Sequence, residues 1–181
     1  MSTYGVEIDI AVGGHNGMDT RRYAASQVDR YHSFAPVVLF LKVLLEQHDL
    51  DKPFTGGLGS YKLYVLVSYH LQHHLEMGGS DRPSEVLMSL LFRYGCVRGH
   101  NVAHACRKSL SVNTVLHCDS GGEADLSNVF KVEQIVQLMH RCWERLWSRV
   151  QKYRSSDASS IPSFLSTIIN PTRLQSDRVR R

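Results

Sequence analysis

The sequence lacks the features that mark a disulfide-stabilised, zinc-binding or membrane-spanning protein. Its four cysteines, in 181 residues, form no CxxC pair. With no secretory leader ahead of them, we expect reduced thiols in the cytosol or nucleus rather than a disulfide framework. The longest apolar run, Pro36 to Leu45, is interrupted by Lys42. It is far shorter than the roughly 20 residues that a membrane span needs, so we expect no membrane partner.

Strong charge and the standard phosphate-binding signatures are also missing. The net charge of +4 is too small to identify a nucleic-acid partner, although it suits a protein that handles nucleotides or RNA phosphates. The chain has neither a Walker sequence nor a GxGxxG sequence, and it has no internal repeat. Its hydrophobic content of 43% is enough for one sizeable core and at most a second small one.

Hydrophobic periodicity predicts a mostly helical fold that follows one strand. Residues 6–12 alternate between apolar and other side chains, as a half-buried strand does, with Glu7 and Asp9 on the same face. Helices are predicted from a cap at Asp19 or Thr20 toward His32, from Pro36 to Gln47, from a cap at Ser60 to about His74, from Pro83 or Ser84 to Gly95, and from Val129 to Tyr153. A strand within 111–118 and a short apolar element at 161–171 are weaker predictions.

The stretch FTGGLGSY, residues 54–61, places a glycine-rich loop directly before an apolar helix. Free backbone N–H groups and the helix dipole favour an anion there, so the loop is a candidate phosphate site. On local evidence alone, a tight turn explains the glycines better. Tyr61 is open to two interpretations in the same way, because it could pack in the core or stack on a base.

Isolated charges offer two further candidates. Lys42 lies in the middle of an apolar helix, so it must point into a cleft, extend to solvent or pair with Glu46 four residues later. Glu7 and Asp9 could share a metal ion or face solvent. The histidines of HLQHH and HNVAHAC lack the paired spacing of a structural zinc site, and we do not include them in a site.

Read in order, these features resemble a known family. The segment LFLKVLLEQHDLDKPFTGGLGSYKLYVLVSYHLQHH carries the most specific match, and VEIDIAVGGHNGMDT and SFLSTIINP carry the others. Together, residues 6–171 resemble the terminal RNA nucleotidyltransferases of the DNA polymerase beta superfamily. The branch most similar is the nuclear poly(A) polymerases of the topoisomerase-related-function, or DNA polymerase sigma, type.

The resemblance implies roles for individual residues. Asp9 corresponds to the third catalytic aspartate of the family, a ligand of Mg²⁺ or Mn²⁺. Lys42 corresponds to a contact with nucleotide phosphates. Ser60 would hydrogen-bond phosphate, and Tyr61 would stack on the incoming base.

Three other positions complete the implied nucleotide site. Gly57 and Gly59 would let the backbone approach the triphosphate closely. Asp125 lies in the polar loop that reads the base in the family.

This chain departs from the family pattern at three places. The Gly-Ser helix and the Asp-x-Asp strand should precede Asp9, where only eight residues stand, so two catalytic carboxylates are expected to be missing. Ala124 and Asp125 replace the usual Asn-Asp pair, which leaves base preference open. Glu46 stands where some uridylyl-transferring relatives have a second lysine, and this difference favours the poly(A) branch.

The resulting prediction is a mostly α (α+β) chain. Residues 1–20 would be a remnant of the catalytic palm, 21–171 a helical central domain that binds substrate, and 172–181 a basic tail. The implied function is transfer of AMP from ATP to the 3′ hydroxyl of RNA in the nucleus, with this chain supplying nucleotide recognition. The implied partners are a zinc-knuckle RNA-binding protein and an RNA helicase. The alternative is a non-catalytic module that binds nucleotide or protein.

Overall fold

A computed structural model describes residues 17–96, 116–117, 123–124, 129–153 and 163–170. The fold of these residues is mostly helical, as predicted. In chain order the helices are α1 (Gly17–Arg30), α2 (Phe34–Glu46), α3 (Ser60–Glu76), α4 (Pro83–Gly95) and α5 (Val132–Tyr153). Short 3-10 helices occupy Pro53–Thr55 and Phe164–Thr167. The predicted strand at 6–12, and Asp9 and Asp125, lie outside the described residues.

A small antiparallel ribbon lies between α4 and α5 in the sequence. Strand β1 (Leu116–His117) pairs with β2 (Glu123–Ala124), with Leu116 opposite Ala124 and His117 opposite Glu123. β1 falls within the segment 111–118 in which the sequence suggested a strand. Ala124, at the position where the family resemblance implied an amide, therefore belongs to a strand.

The core forms where α2, α3, α4 and α5 pack together. Leu41, Leu66, Leu90 and Val136, one from each helix, are fully inaccessible to solvent. α4 and α5 approach closely at Gly95, where a Cβ atom would lie 2.5 Å from the backbone nitrogen of His140. Glycine at this position permits the close crossing of the two helices.

Two sequence predictions about helices need correction. Asp19 and Thr20 lie inside α1, which begins at Gly17, so neither is its N-cap. Residues 36–47 are apolar on nearly every side, a pattern that predicts a buried helix, yet Leu39 of α2 is 63% exposed. The buried residues of α2 instead follow one helical face, as expected for a helix at the edge of a core.

Asp81 joins the segment before α2 to the segment before α4. Its carboxylate accepts hydrogen bonds from the backbone N–H groups of His32 (2.7 Å) and Ser33 (2.9 Å), and from the Ser33 hydroxyl. Burial raises the pKa of Asp81, but the bonds from Ser33 and His32 outweigh it and hold this pKa below its usual value. We call this set of contacts the Asp81 junction.

His70 joins α3 to α4 inside the core. It is 2% exposed, and its Nε2 lies 2.8 Å from the Ser89 hydroxyl oxygen. The Ser89 hydroxyl donates to the Val86 carbonyl, so its oxygen is left to accept from His70 and the ring proton belongs on Nε2. Burial, followed by the charges of Arg93, His74 and His73, lowers the pKa of His70 to about 3.

In the part of the chain that the structure covers, no helix is long and apolar enough to cross a membrane. The predicted domain boundaries at residues 20 and 171 stay predictions.

Candidate functional site

The glycine-rich loop, residues 48–59, joins α2 to α3 and is held by its own backbone. The Gly57 N–H donates to the Lys52 carbonyl (2.9 Å), and the Leu58 N–H donates to the Leu50 carbonyl (2.7 Å). Gly56, with φ of 84°, adopts the left-handed conformation that ends the 3-10 helix. These bonds fold the loop back on itself, so that it enters α3 at a defined angle.

Gly57 and Gly59 have a structural reason to be glycine. A Cβ atom on Gly57 would lie 2.4 Å from the Leu50 carbonyl oxygen, and one on Gly59 would lie 2.4 Å from Cγ of Pro53. The local interpretation of these glycines as a tight turn therefore has direct support. Their implied approach to a triphosphate stays a prediction.

The loop ends at the N-terminus of α3. Gly59 is the N-cap residue, with an extended backbone, and Ser60 is the first helical residue. The prediction that Ser60 caps this helix is wrong, because no side chain makes a cap hydrogen bond there. The positive end of the helix dipole lies here, and it favours a negatively charged group.

A polar cavity of about 280 Å³ lies beside this helix end. Its polar lining comes from Lys42 and Glu46 of α2, Asp51 of the loop and Ser60 of α3, and its apolar lining is Leu45, Leu58 and Leu63. We call this cavity the Lys42 pocket. The structure thus brings together two predicted site residues, Lys42 and Ser60, which are 18 positions apart in the sequence.

Two charged groups of the Lys42 pocket have no partner among the described residues. The predicted alternative for Lys42, an ion pair with Glu46, is not formed there. Oδ1 of Asp51 is inaccessible to solvent and has no hydrogen-bond partner. Lys42 can therefore donate hydrogen bonds to a ligand in the pocket, whereas Oδ1 of Asp51 is a buried acceptor whose missing partner costs free energy.

Tyr61 lies next to the pocket rather than in its lining. Its side chain is 37% exposed, and its ring meets the edge of Tyr23 from α1 at a centroid distance of 6.0 Å and an interplanar angle of 65°. The ring is therefore neither buried in the core nor fully exposed. Its role in base stacking stays a prediction.

The resemblance implies a metal site that includes Asp9. Asp9, its predicted ligand, lies outside the described residues. Among the residues that are described, no group of three or more histidine, cysteine, aspartate or glutamate side chains could hold a metal ion. Glu46 and Asp51 are the acidic side chains that line the Lys42 pocket.

Sequence reasoning missed two contributors to this region. The sequence did offer a reason to consider Asp51, since an acidic residue between a helix end and a glycine-rich loop can turn toward the helix that follows. It offered none for Lys131, because this residue contacts the loop from a turn just before α5, more than seventy positions later.

Comparisons with known proteins identify similar sequences and one similar fold. No family model matches the chain. It is 28% identical over 97 residues to the poly(A) RNA polymerase CID14 of Cryptococcus neoformans, a match that covers 53% of this chain and 13% of that protein. It is 30% identical over 95 residues to the poly(A) RNA polymerase cid14 of Schizosaccharomyces pombe, covering 50% and 14%. The Caenorhabditis elegans poly(A) RNA polymerase gld-4 is 36% identical over 62 residues, covering 34% and 7%.

A solved structure shares the fold. The polymerase core of TRAMP, an RNA surveillance complex, superposes with a TM-score of 0.64 at 16% identity, over 86% of this chain and 56% of that one. The predicted resemblance to poly(A) polymerase-type nucleotidyltransferases is thereby confirmed for the part of the chain that matches, as is the mostly helical fold. The chain spans 13% and 14% of the length of the first two relatives.

Proposed function

We propose that this chain binds a nucleoside triphosphate, ATP in the first place, and serves as the nucleotide-recognition part of a poly(A) RNA polymerase. The proposed reaction is transfer of AMP from ATP to the 3′ hydroxyl of RNA. The observation that carries the proposal is the meeting of Lys42 and Ser60 in one pocket at the N-terminus of α3. The similarity to three poly(A) RNA polymerases supports it.

The chemistry of the pocket suits a phosphate group. An ammonium group that forms no ion pair within the described part of the chain, a hydroxyl and the N-terminal end of a helix all attract the same kind of oxygen. Lys42 would neutralise part of the phosphate charge. Ser60 would donate a hydrogen bond to one phosphate oxygen. Tyr61, the next residue of α3, would stack its ring on the base.

The carboxylates of the pocket constrain how a triphosphate binds. Glu46 and Asp51 carry two negative charges against the one positive charge of Lys42. A bare polyanion would be repelled, so we propose that the nucleotide enters together with Mg²⁺ or Mn²⁺, which would offset this charge.

Catalysis needs more carboxylates than this site holds. Transfer by two metal ions requires ligands that set a metal spacing of roughly 3.5–4 Å. We propose that Asp9 supplies one ligand and that an upstream Asp-x-Asp strand supplies the others, so the isolated chain would bind nucleotide without extending RNA. The likeness to the TRAMP polymerase core supports proposals of a nuclear location and of a zinc-knuckle protein and a helicase as partners.

A binding titration tests the proposal. The 181-residue chain is titrated with ATP in the presence of Mg²⁺ by calorimetry, alongside Lys42→Met and Ser60→Ala. We expect each variant to weaken binding by about 1.5–3 kcal/mol, the range for a hydrogen bond to a charged group. Lys152→Met, an exposed lysine near the far end of α5, is the matched control and should bind like the unaltered chain.

Primer extension separates the polymerase from the alternative module. Chain alone, with ATP, Mn²⁺ or Mg²⁺ and an oligo(A) primer, should extend nothing above background. Supplying an upstream Asp-x-Asp segment in the same polypeptide should restore extension. If ATP binds and extension never appears, the chain is a nucleotide-binding module without catalysis, and if ATP does not bind at all the proposal is wrong.

A further inference from the structure

Lys131 makes two hydrogen bonds to the glycine-rich loop from just before α5. Its backbone N–H donates to the Gly56 carbonyl at 2.9 Å. Its ammonium group donates to the Asp49 carbonyl at 3.0 Å. One residue thus contacts the loop near its beginning and again seven positions later.

Both acceptors belong to residues in the left-handed backbone conformation. Asp49, with φ of 55°, is the one non-glycine residue with positive φ in the part of the chain that the structure describes. Gly56 has φ of 84°. The left-handed conformation is unfavourable for a non-glycine residue, and it persists where the surroundings hold it. Lys131 contacts the two points at which the loop departs most from ordinary backbone geometry.

Phe130 adds packing to these bonds. A Cβ atom on Gly56 would lie 2.8 Å from Cβ of Phe130, so the two residues are in close contact. The ring of Phe130 is nevertheless 79% exposed, which means that it covers the loop from outside and is not part of the core. Neither Phe130 nor Lys131 lines the Lys42 pocket.

The segment held in this way supplies a wall of the pocket. Asp51 lies between the two contact points, Asp49 and Gly56. Leu58 and Ser60 lie two and four positions after Gly56. A shift of about 1 Å in a residue that positions a ligand is enough to impair a binding site. The position of the loop therefore determines whether Asp51 and Ser60 face Lys42 across the same space.

We infer that Lys131 is a positioning residue of the nucleotide site, which acts by bracing the left-handed residues Asp49 and Gly56 so that the loop presents Asp51 and Ser60 to the Lys42 pocket. This inference rests on the proposed function, because it assigns the braced pocket to a nucleotide. It predicts that nucleotide affinity depends on a residue that does not touch the nucleotide.

The test compares Lys131→Met, Lys131→Arg and the control Lys152→Met in two measurements on the 181-residue chain. Hydrogen exchange reports the loop amides of Gly57 and Leu58, and calorimetry reports ATP binding with Mg²⁺. In Lys131→Met we expect roughly tenfold faster exchange at these amides and roughly fivefold weaker ATP binding, as expected when a hydrogen bond from a charged group is lost. Lys131→Arg can still donate to Asp49 and should stay within twofold of the unaltered chain, as should Lys152→Met.

The outcomes are distinguishable. Unchanged loop exchange in Lys131→Met would overturn the bracing role. Faster exchange with unchanged ATP affinity would overturn the link between the loop and the pocket, while the proposed nucleotide site would stand. Failure of the unaltered chain to bind ATP would overturn the proposed function together with the link, and exchange would still decide whether Lys131 holds the loop. Exchange at His70, deep in α3, should be unchanged in every variant, which excludes general unfolding as the cause.

Discussion

Asp51 and Asp81 are both partly exposed aspartates in loops that lead into helices, and their surroundings differ sharply. Asp81 accepts three hydrogen bonds from His32 and Ser33, and these bonds hold its pKa below the usual value despite burial. Asp51 has a solvent-inaccessible oxygen with no partner, in a pocket with Lys42. The Asp81 carboxylate is occupied by contacts of the fold, whereas Oδ1 of Asp51 has no partner among the described residues. Polar groups that a fold leaves without partners identify a binding site better than polar groups alone.

The largest effect is expected at the Asp81 junction. Asp81→Ala removes the acceptor of two backbone N–H groups and one hydroxyl, and it should lower the free energy of unfolding by about 3 kcal/mol. Urea denaturation measures the change, and the exposed Asp29→Ala is the control. A loss no larger than that of the control would mean that water replaces Asp81 at little cost, and the contrast with Asp51 would fail.

The second-largest effect is expected from acid, which should destabilise the interface between α3 and α4. The pKa of His70 is about 3 in the folded chain and near 6.5 in the unfolded chain. The contribution of the neutral ring to the free energy of unfolding is therefore complete above pH 6.5. That stability is lost as the pH falls below 6.5 toward 3, by about 2 kcal/mol at pH 5. His70→Leu should flatten the pH dependence of the free energy of unfolding between pH 7 and 5. An equally steep dependence in that variant would assign the loss to other groups.

A smaller effect, on ATP binding and not on stability, is expected for Tyr61. Tyr61→Ala should weaken ATP binding by about 1 kcal/mol, at the low end for base stacking because the ring already meets Tyr23. Tyr61→Phe keeps the ring and is the matched control. Equal affinity of all three proteins in calorimetry would exclude stacking on this ring.

The smallest change in stability should come from Asp51. Asp51→Ala removes a carboxylate oxygen that has no partner, so the free energy of unfolding should change by no more than about 0.5 kcal/mol or should rise. ATP affinity measured with Mg²⁺ should nevertheless change. A loss of stability equal to that of Asp81→Ala would show that Asp51 serves the fold after all.

The sequence alone was sufficient for the helices and for the family resemblance. Spacing of apolar residues placed α2, α4 and α5 within a few residues of their observed bounds, because burial of one helical face is encoded locally. The lysine, the glycine-rich loop and the Ser-Tyr pair carried the resemblance that the comparisons support. Asp9 and Asp125, which lie outside the described residues, stay predictions from sequence.

Tertiary structure decided which of these residues meet. No local pattern shows that Lys42 turns toward Ser60 rather than pairing with Glu46, since that choice depends on how α2 packs against α3 and on where the loop runs. The same holds for Asp51, because the burial of its Oδ1 is a property of the folded chain. Lys131 is the extreme case, because its two bonds join segments more than seventy positions apart. Periodicity reports contacts within a helix, and contacts between distant segments exist only once the chain has packed.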